Sequence, residues 1–543
     1  MFSQPVDESR FFGREESLSL LGKRLQALTD GYRQNVALLG PPLVGKTSLI
    51  CQALKQPPAH ALLALYVDVR REPFAEFAQR FLAAGVAQAL GTSPAQPSAD
   101  TLELLLRDAG TRLPRVTQEA QRLRDWVEKG RHTEAFGGLF DWLQTILQET
   151  GRPVLVALDE FHRLEDFDLR HPLAELGKRI MVEKRIMYLV ASSQPAVARK
   201  MLQEQLRLLF GHFDIIEIAP FDPVASRNFL RSQLAGLDIP EEIATFLAAW
   251  TGGHPFYLDH ISRGLAQTAR SQGVRTVTPE MLCTVALQLL CDGHGGLHHH
   301  WQERLDALTG THQMATFNAL VALARGRLTV KELSHRCQRS PQETNRIANR
   351  LADHHLITRR GNCLAIDDPL FRFWLLTVHE PLRWSPVPHC GTLARRFVLE
   401  VEAAFREHQQ QHERPPADRL IELLHAFRDE RVPIDHRLRL LPHFVDVRQN
   451  GLHPSGVQVY AKTRQHHWVC CLKTGGAATE GDITAFEQRC RALETKPQRK
   501  IFIALDGLEP NATLLAKEAR MWTWDRPTLN TLLSLYGKQP MMP

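Results

Sequence analysis

The chain is poor in the features that would place it outside the cytosol. Its nine cysteines are scattered and form no C-x-x-C, with Cys470-Cys471 the only adjacent pair. That pattern argues against a disulfide framework or a thiolate-ligated zinc ribbon and fits free thiols in a reducing compartment. Cys291, His294, His298 and His300 lie close together but at no zinc-finger spacing, so the segment reads as a His-rich linker. No apolar run approaches the roughly 20 residues of a membrane span. Met1 to Glu8 shows no basic stretch leading into an apolar core, so no secretory signal is expected. The expectation is a cytoplasmic protein without membrane contact. Excess charge is also scarce, +6 over 543 residues. It is concentrated: Arg325 to Arg360 holds nine Lys/Arg against three Asp/Glu. One basic segment in an otherwise neutral chain suggests an acidic partner at that place.

What is present begins with Gly40-Pro41-Pro42-Leu43-Val44-Gly45-Lys46-Thr47, which fits G-x-x-x-x-G-K-[ST] at every position. The apolar Val36-Ala37-Leu38-Leu39 predicts a strand leading in, and Ser48 to Leu54 a helix leading out. Glycines let successive backbone N–H groups curl around phosphate oxygens, and the helix N-terminus adds its positive end. Residues 40–48, Ser48 included, are therefore expected to hold nucleotide. Lys46 would reach the β/γ-phosphates and Thr47 would hold Mg²⁺. A second signal is Pro153-Val154-Leu155-Val156-Ala157-Leu158, a continuous apolar run suited to a strand buried on both faces. It ends in Asp159-Glu160, where ligands of open parallel sheets bind. Asp159 is expected to support Mg²⁺ and Glu160 to activate water. A chain that only bound nucleotide would need the first acid and not the second.

Further predicted strands lie at Ala61–Val69, Arg185–Ala191 and Phe213–Ile218, separated by helical text from Phe74 to Leu147 and beyond. Strands alternating with helices predict a doubly wound α/β core. The segment after Pro223 turns helical and carries the corner Trp250-Thr251-Gly252-Gly253-His254-Pro255. The elements FGRE, GPPLVGKT, LDE, ASS and TGGHP, in this order and spacing, resemble the STAND-type P-loop ATPases. The likeness is strongest to their archaeal-type branch, which is related to the AAA+ group. It covers about residues 8 to 290. The resemblance implies that Phe12, Gly13 and Arg14 lie near adenine and that Ser192 or Ser193 is a polar sensor. It also implies that Gly253 and Pro255 belong to a lid motif touching nucleotide. One departure stands out: the branch commonly carries Gly-Arg ahead of its last strand, and this chain has Gly211-His212. Histidine is a weak replacement for arginine's permanently charged fork. Arg207 or a partner's arginine would have to substitute, which predicts slow or partner-stimulated hydrolysis and assembly into a homo-oligomer.

The basic segment reads as a winged helix. Gln313–Leu323, Thr329–Arg336 and a helix opened by the capping box Ser340-Pro341-Gln342-Glu343 precede a two-strand wing at Thr358–Ile366, with its turn at Gly361-Asn362. Arg339, Asn345, Arg346, Asn349 and Arg350 line the third helix, and Arg359 and Arg360 the wing. Such side chains suit phosphates and purine edges, so double-stranded DNA is the expected partner. A protein-docking winged helix is the alternative.

From about residue 390 the order of helices and strands resembles the restriction-endonuclease-like fold, with Asp446 and Lys473 at its acid and lysine positions. Where a second carboxylate should stand there is Cys471, and a thiol does not serve Mg²⁺. The expectation is a degenerate nuclease used for binding, with Glu480, Asp482 or Glu487 as displaced carboxylates in the contrary case. The full expectation is a P-loop α/β core (1–222), a helical lid and linker (223–300), a winged helix (301–385) and a degenerate nuclease-like α/β domain (386–543). It would act as an ATP- and Mg²⁺-dependent ATPase with Lys46, Glu160 and Ser193 as its catalytic residues. Its setting would be mobile-element handling, replication or defence. An ATP-gated nuclease and a signalling scaffold that binds a protein partner are the rival readings.

Overall fold

The computed structural model describes residues 10–56, 61–92, 99–205, 213–308, 313–360, 362–384, 390–434, 437–453 and 456–541. They divide into two compact units, Met1–Pro220 and Phe221–Pro543.

The first unit is built on five parallel strands: β1 (Asn35–Leu39), β2 (Leu63–Asp68), β3 (Val154–Asp159), β4 (Ile186–Ser192) and β5 (Phe213–Glu217), in the order β2-β3-β4-β1-β5. β1, β3 and β4 are buried along their whole length, as their unbroken apolar text demands. Helices Glu15–Thr29 and Lys46–Leu54 cover one face with Leu21, Leu25, Leu49 and Ile50. The other face packs under Phe74–Leu90 and His132–Thr150, where Phe77, Phe81, Phe136, Phe140 and Trp142 form an aromatic layer. The register sets Leu39 beside Ser192 and Asp68 beside Asp159, so the chemically active ends of β1, β3 and β4 lie along one edge of the sheet. This is the α/β architecture expected from the alternation of apolar runs.

The second unit opens with helices Pro223–Gln233, Glu241–Trp250, Pro255–Gln272 and Pro279–Ala286. The Gly252-Gly253 corner has φ of 60° and 70°. A Cβ on Gly253 would overlap the Phe221 carbonyl oxygen, and Phe221 N–H donates to the Gly253 carbonyl at 2.9 Å. Pro255 is the first residue of its helix. The His-rich stretch expected to be a linker is instead largely helical, Gly296–Asp306, with Leu297 and Trp301 fully buried. Its composition hid an i,i+4 apolar pair. Trp301 Nε1 donates to Tyr257 Oη at 3.2 Å, and Tyr257 Oη donates to Asp368 Oδ2 at 2.5 Å.

Three helices follow, Gln313–Ala324, Val330–Cys337 and Pro341–Asp353. Reciprocal capping boxes open the second and third, Thr329 with Glu332 and Ser340 with Glu343. β6 (Leu328–Thr329), β7 (Thr358–Arg360) and β8 (Cys363–Ala365) form a small antiparallel sheet in the order β6-β8-β7. Gly361, at the expected wing turn, lies outside the described residues.

The chain ends in helices Cys390–Glu413 and Pro416–His425, a hairpin of β9 (Glu430–Ile434) and β10 (Arg437–Leu441), and a five-stranded sheet. In that sheet β11 (Asp446–His453), β12 (Gly456–Lys462) and β13 (His467–Lys473) run antiparallel. β14 (Arg499–Ala504) and β15 (Trp522–Asp525) join it in parallel, reached through helices Glu480–Ala492 and Pro510–Glu518.

Glu430 ties this region to the small sheet. It pairs with Arg327, accepts from Tyr536 Oη at 2.5 Å and receives the Cys363 thiol at 3.5 Å. The Arg327 guanidinium lies 3.8 Å from the Tyr536 ring centre. Glu430→Ala should lower the stability of the chain by about 3 kcal/mol, since it strands a largely buried guanidinium. Urea unfolding measures this, and a midpoint equal to that of the unmodified chain would show the pair to be solvated in solution.

Candidate nucleotide site

The loop 40–45 is shaped by backbone requirements. A Cβ at Gly40 would overlap the carbonyl oxygen of Ile218 just beyond β5, and Gly45 has φ of 101°, a region that favours glycine. Leu43 also has positive φ, 58°. Lys46 and Thr47 are not in the loop but in the first turn of the following helix, which starts at Lys46 rather than at Ser48. Backbone N–H groups in the first turn of a helix have no partner within it, and this turn follows the loop that supplies the lysine's two acceptors.

Lys46 is 4% exposed, and its ammonium donates to the carbonyls of Gly40 (3.0 Å) and Pro41 (2.7 Å). Burial lowers its pKa, opposed by the charges of Glu160 and Asp159. A buried cation whose bonds among the described residues go to neutral carbonyls would be relieved by an entering anion. Thr47 Oγ1 donates to Asp159 Oδ2 at 2.5 Å, and Tyr66 Oη donates to the same oxygen at 3.0 Å. Burial raises the Asp159 pKa, and the Thr47 hydrogen bond holds it down. A hydroxyl and a carboxylate in contact form a hard-oxygen pair of the kind Mg²⁺ takes, so the donor set fits that ion.

Glu160 has φ of 53° at the end of β3. Its Oε2 accepts from Ser193 N (2.9 Å) and Ser193 Oγ (2.7 Å), and lies 3.3 Å from His162 Nδ1. Ser192 Oγ is 2.9 Å from His162 Nδ1 and accepts from Gln194 N at 3.0 Å. His162 is 7% exposed, and burial holds its pKa down to about 4, helped by the charge of Arg163. Sequence reasoning missed Tyr66 and His162. Tyr66 is one of the half-buried positions of β2, and His162 lies only two residues past Glu160. No spacing rule marks either.

The remaining expected residues divide. Arg14 donates to the Ala219 carbonyl and reaches the Val44 carbonyl at 3.5 Å, which brings Gly13-Arg14 to the rim of the loop with Phe12 just before it. Gly253 and Pro255 belong to the second unit, where the corner described above accounts for both. Arg207, Gly211 and His212 lie outside the described residues.

On the third helix of the basic segment, Arg346 and Asn349 are exposed, as is Arg339 just before it, and Asn345 is half-buried. Asn349 Oδ1 accepts from the exposed Arg359 at 3.0 Å. Arg350 differs from expectation. It is half-buried and donates to the Leu308 carbonyl at 2.9 Å, so it braces the helix from behind. Arg360 ends β7.

The C-terminal sheet corrects the expected acid–lysine pair. Asp446 pairs with Lys462, which pairs with His467, at the opposite end of β13 from Lys473. At about 3.3 Å per residue the two are separated by roughly 20 Å. The antiparallel hairpins carry Asp446 away, and no local pattern could have revealed it. The residue facing Cys471 across the ladder is the buried Gln458. Cys471 is fully buried, and burial pushes its thiol up to about 12. Lys473 instead pairs with Asp482 at 2.6 Å, whose Oδ2 also caps its helix through Thr479. Glu487 pairs with Arg491 at 2.8 Å. Among the described residues no group of three or more His, Cys, Asp or Glu is gathered as a metal would require. Nor is any described helix long and apolar enough to cross a membrane.

Residues 10–187 match the AAA ATPase domain family. That match falls within the first unit and spans its loop 40–45 and the strands β1 to β3. Among solved structures, the Aeropyrum pernix ORC2 protein in ADPNP–ADP complexes is similar at 13% identity, over 75% of this chain and 98% of that one, with a TM-score of 0.45. The Aeropyrum pernix ORC1 protein in complex with DNA follows at 14% identity, over 70% and 96%, with a TM-score of 0.40. The Thermotoga maritima RuvB Holliday junction branch migration motor is similar at 13% identity, over 72% and 100%, with a TM-score of 0.35. No curated protein matches the chain.

Proposed function

We propose that this chain is a Mg²⁺-dependent ATPase that works on double-stranded DNA. The observation that carries the ATPase reading is the contact of Thr47 with Asp159 at 2.5 Å, beside the buried Lys46 and one residue before Glu160. Loop N–H groups and Lys46 bind the phosphates, and Thr47 and Asp159 hold the metal. Mg²⁺ would supply neutralisation of charge on the phosphate oxygens. Glu160 orients the attacking water and takes its proton, and the sensor role falls to Ser193.

The DNA reading rests on the second unit. Three helices and a small sheet are supported as a winged helix by their order and caps. Its outward side presents Arg339, Arg346, Asn349 and Arg359, with Arg350 withdrawn from that set. Asp446 and Lys473 stand at opposite ends of the C-terminal sheet, which supports binding rather than cutting. The test is duplex binding by the full chain at several salt concentrations. Arg346→Ala with Arg359→Ala should weaken binding about 10-fold or more and reduce the salt slope by roughly 2. Affinity and slope unchanged from the parent would transfer the winged helix to a protein partner.

A further inference from the structure

We infer that His162 is a positioning residue for Glu160, acting through the Nδ1–H of its imidazole on the carboxylate oxygen Oε2. The inference rests on the ATPase reading above. Oε2 is 3.3 Å from His162 Nδ1 and accepts two hydrogen bonds from Ser193. A carboxylate oxygen only accepts, so a bare Nδ1 lone pair would face it repulsively, and the compatible tautomer carries the proton on Nδ1. Ser192 Oγ, 2.9 Å from the same nitrogen, is the hydrogen-bond acceptor of that N–H, and Oε2 at 3.3 Å lies beside it as a close electrostatic contact. Among the described residues no hydrogen bond is made to the other oxygen, Oε1. One oxygen is held by Ser193, just past β4, beside the imidazole that follows β3, and its twin has no such contact among the described residues. Glu160 is set at a strand end with φ of 53° and needs such anchoring, because its own backbone gives the side chain no neighbouring ladder to lean on. The imidazole stays neutral because burial disfavours its cation, so the donor is constant across the physiological range.

This geometry separates two conservative replacements. An asparagine amide sits near the position of Nδ1, whereas a glutamine amide reaches that of Nε2. Steady-state ATP turnover and ATP affinity are measured on the full chain for His162→Ala, His162→Gln and His162→Asn, with Glu160→Gln as the blank. Turnover should fall about 30-fold in the alanine and glutamine variants, short of the roughly 100-fold that misplacing a reacting group can cost, because Ser193 still holds Oε2. It should return to within about 3-fold of the parent in the asparagine variant, with ATP affinity unchanged in all three. An alanine variant as active as the parent, or an asparagine variant as impaired as alanine, overturns the assignment while the ATPase reading stands. A fall in ATP affinity parallel to turnover overturns it in favour of a packing role. A parent chain no faster than the Glu160→Gln blank sinks the ATPase reading and this one together.

Discussion

Glu160→Gln should reduce the turnover of ATP about 1,000-fold while leaving its affinity within about 3-fold of the parent chain. The amide has the size of the carboxylate, and its oxygen can still accept from the Ser193 N–H and hydroxyl. Phosphate-loop geometry is untouched, because Lys46 is held by the Gly40 and Pro41 carbonyls and not by Glu160. What is lost is the ability to take a proton from water. Lys46→Ala should behave in the opposite way. It removes the buried cation from the phosphate site, so nucleotide binding itself should fail, and turnover with it. Phosphate release together with titration of a fluorescent ATP analogue measures both variants. Equal turnover in Glu160→Gln and the parent would show that Glu160 plays no part in the chemistry.

Acidification should destabilise the chain by on the order of 3 kcal/mol between pH 6.5 and 4.5. His300 is held down to about 3, and His162 and His379 to about 4, in each case chiefly by burial. These rings stay neutral in the fold, whereas an unfolded histidine takes a proton below about 6.5. The unfolded state therefore binds more protons in this window, and stability falls as pH falls. Glu183 works the other way. Burial pushes its carboxyl up to about 7, so the folded state keeps a proton that the unfolded one releases. Asp159 and Asp368, raised by burial, act with Glu183, while His298 and His408, lowered by burial, act with the three histidines. His467, lowered by burial, and the lowered carboxyls of Glu175, Glu332 and Asp482 add to the histidines' side, which fixes the sign. Urea midpoints at pH 7, 5.5 and 4.5 measure it, and a midpoint that rises toward pH 4.5 would mean the rings are solvated in solution. His379→Gln should flatten the dependence by removing one ring from the balance.

Local chemistry carried much of this protein in plain view. Short apolar runs, four residues before Gly40 and five before Asp159, predict buried parallel strands, because their length suits a strand and falls short of a helix. Ser340 to Glu343 predicts a helix start that the structure forms with both reciprocal bonds. The α/β class followed from such patterns, as did the grouping of Lys46, Thr47, Asp159 and Glu160 near one sheet edge, whereas Ser192 and Ser193 entered only through the family resemblance. The failures also have a physical reason. Polar composition around Asp292–His300 concealed Leu297 and Trp301, whose burial depends on a helix that brings i and i+4 onto one face. Arg350 looked like its neighbours on the helix until the Leu308 carbonyl claimed it.

By itself the sequence determined the elements and the loop, since strand, helix and phosphate-binding turn are set by residues adjacent in the chain. Only the tertiary structure decided which distant groups meet. Sheet order set β3 between β2 and β4, and so gave Asp159 the Tyr66 hydroxyl and Glu160 the donors of Ser193. Strand register in the last sheet parted Asp446 from Lys473 and gave that lysine Asp482 instead. Pairing across a sheet depends on long-range packing of whole faces, which no run of neighbouring residues encodes.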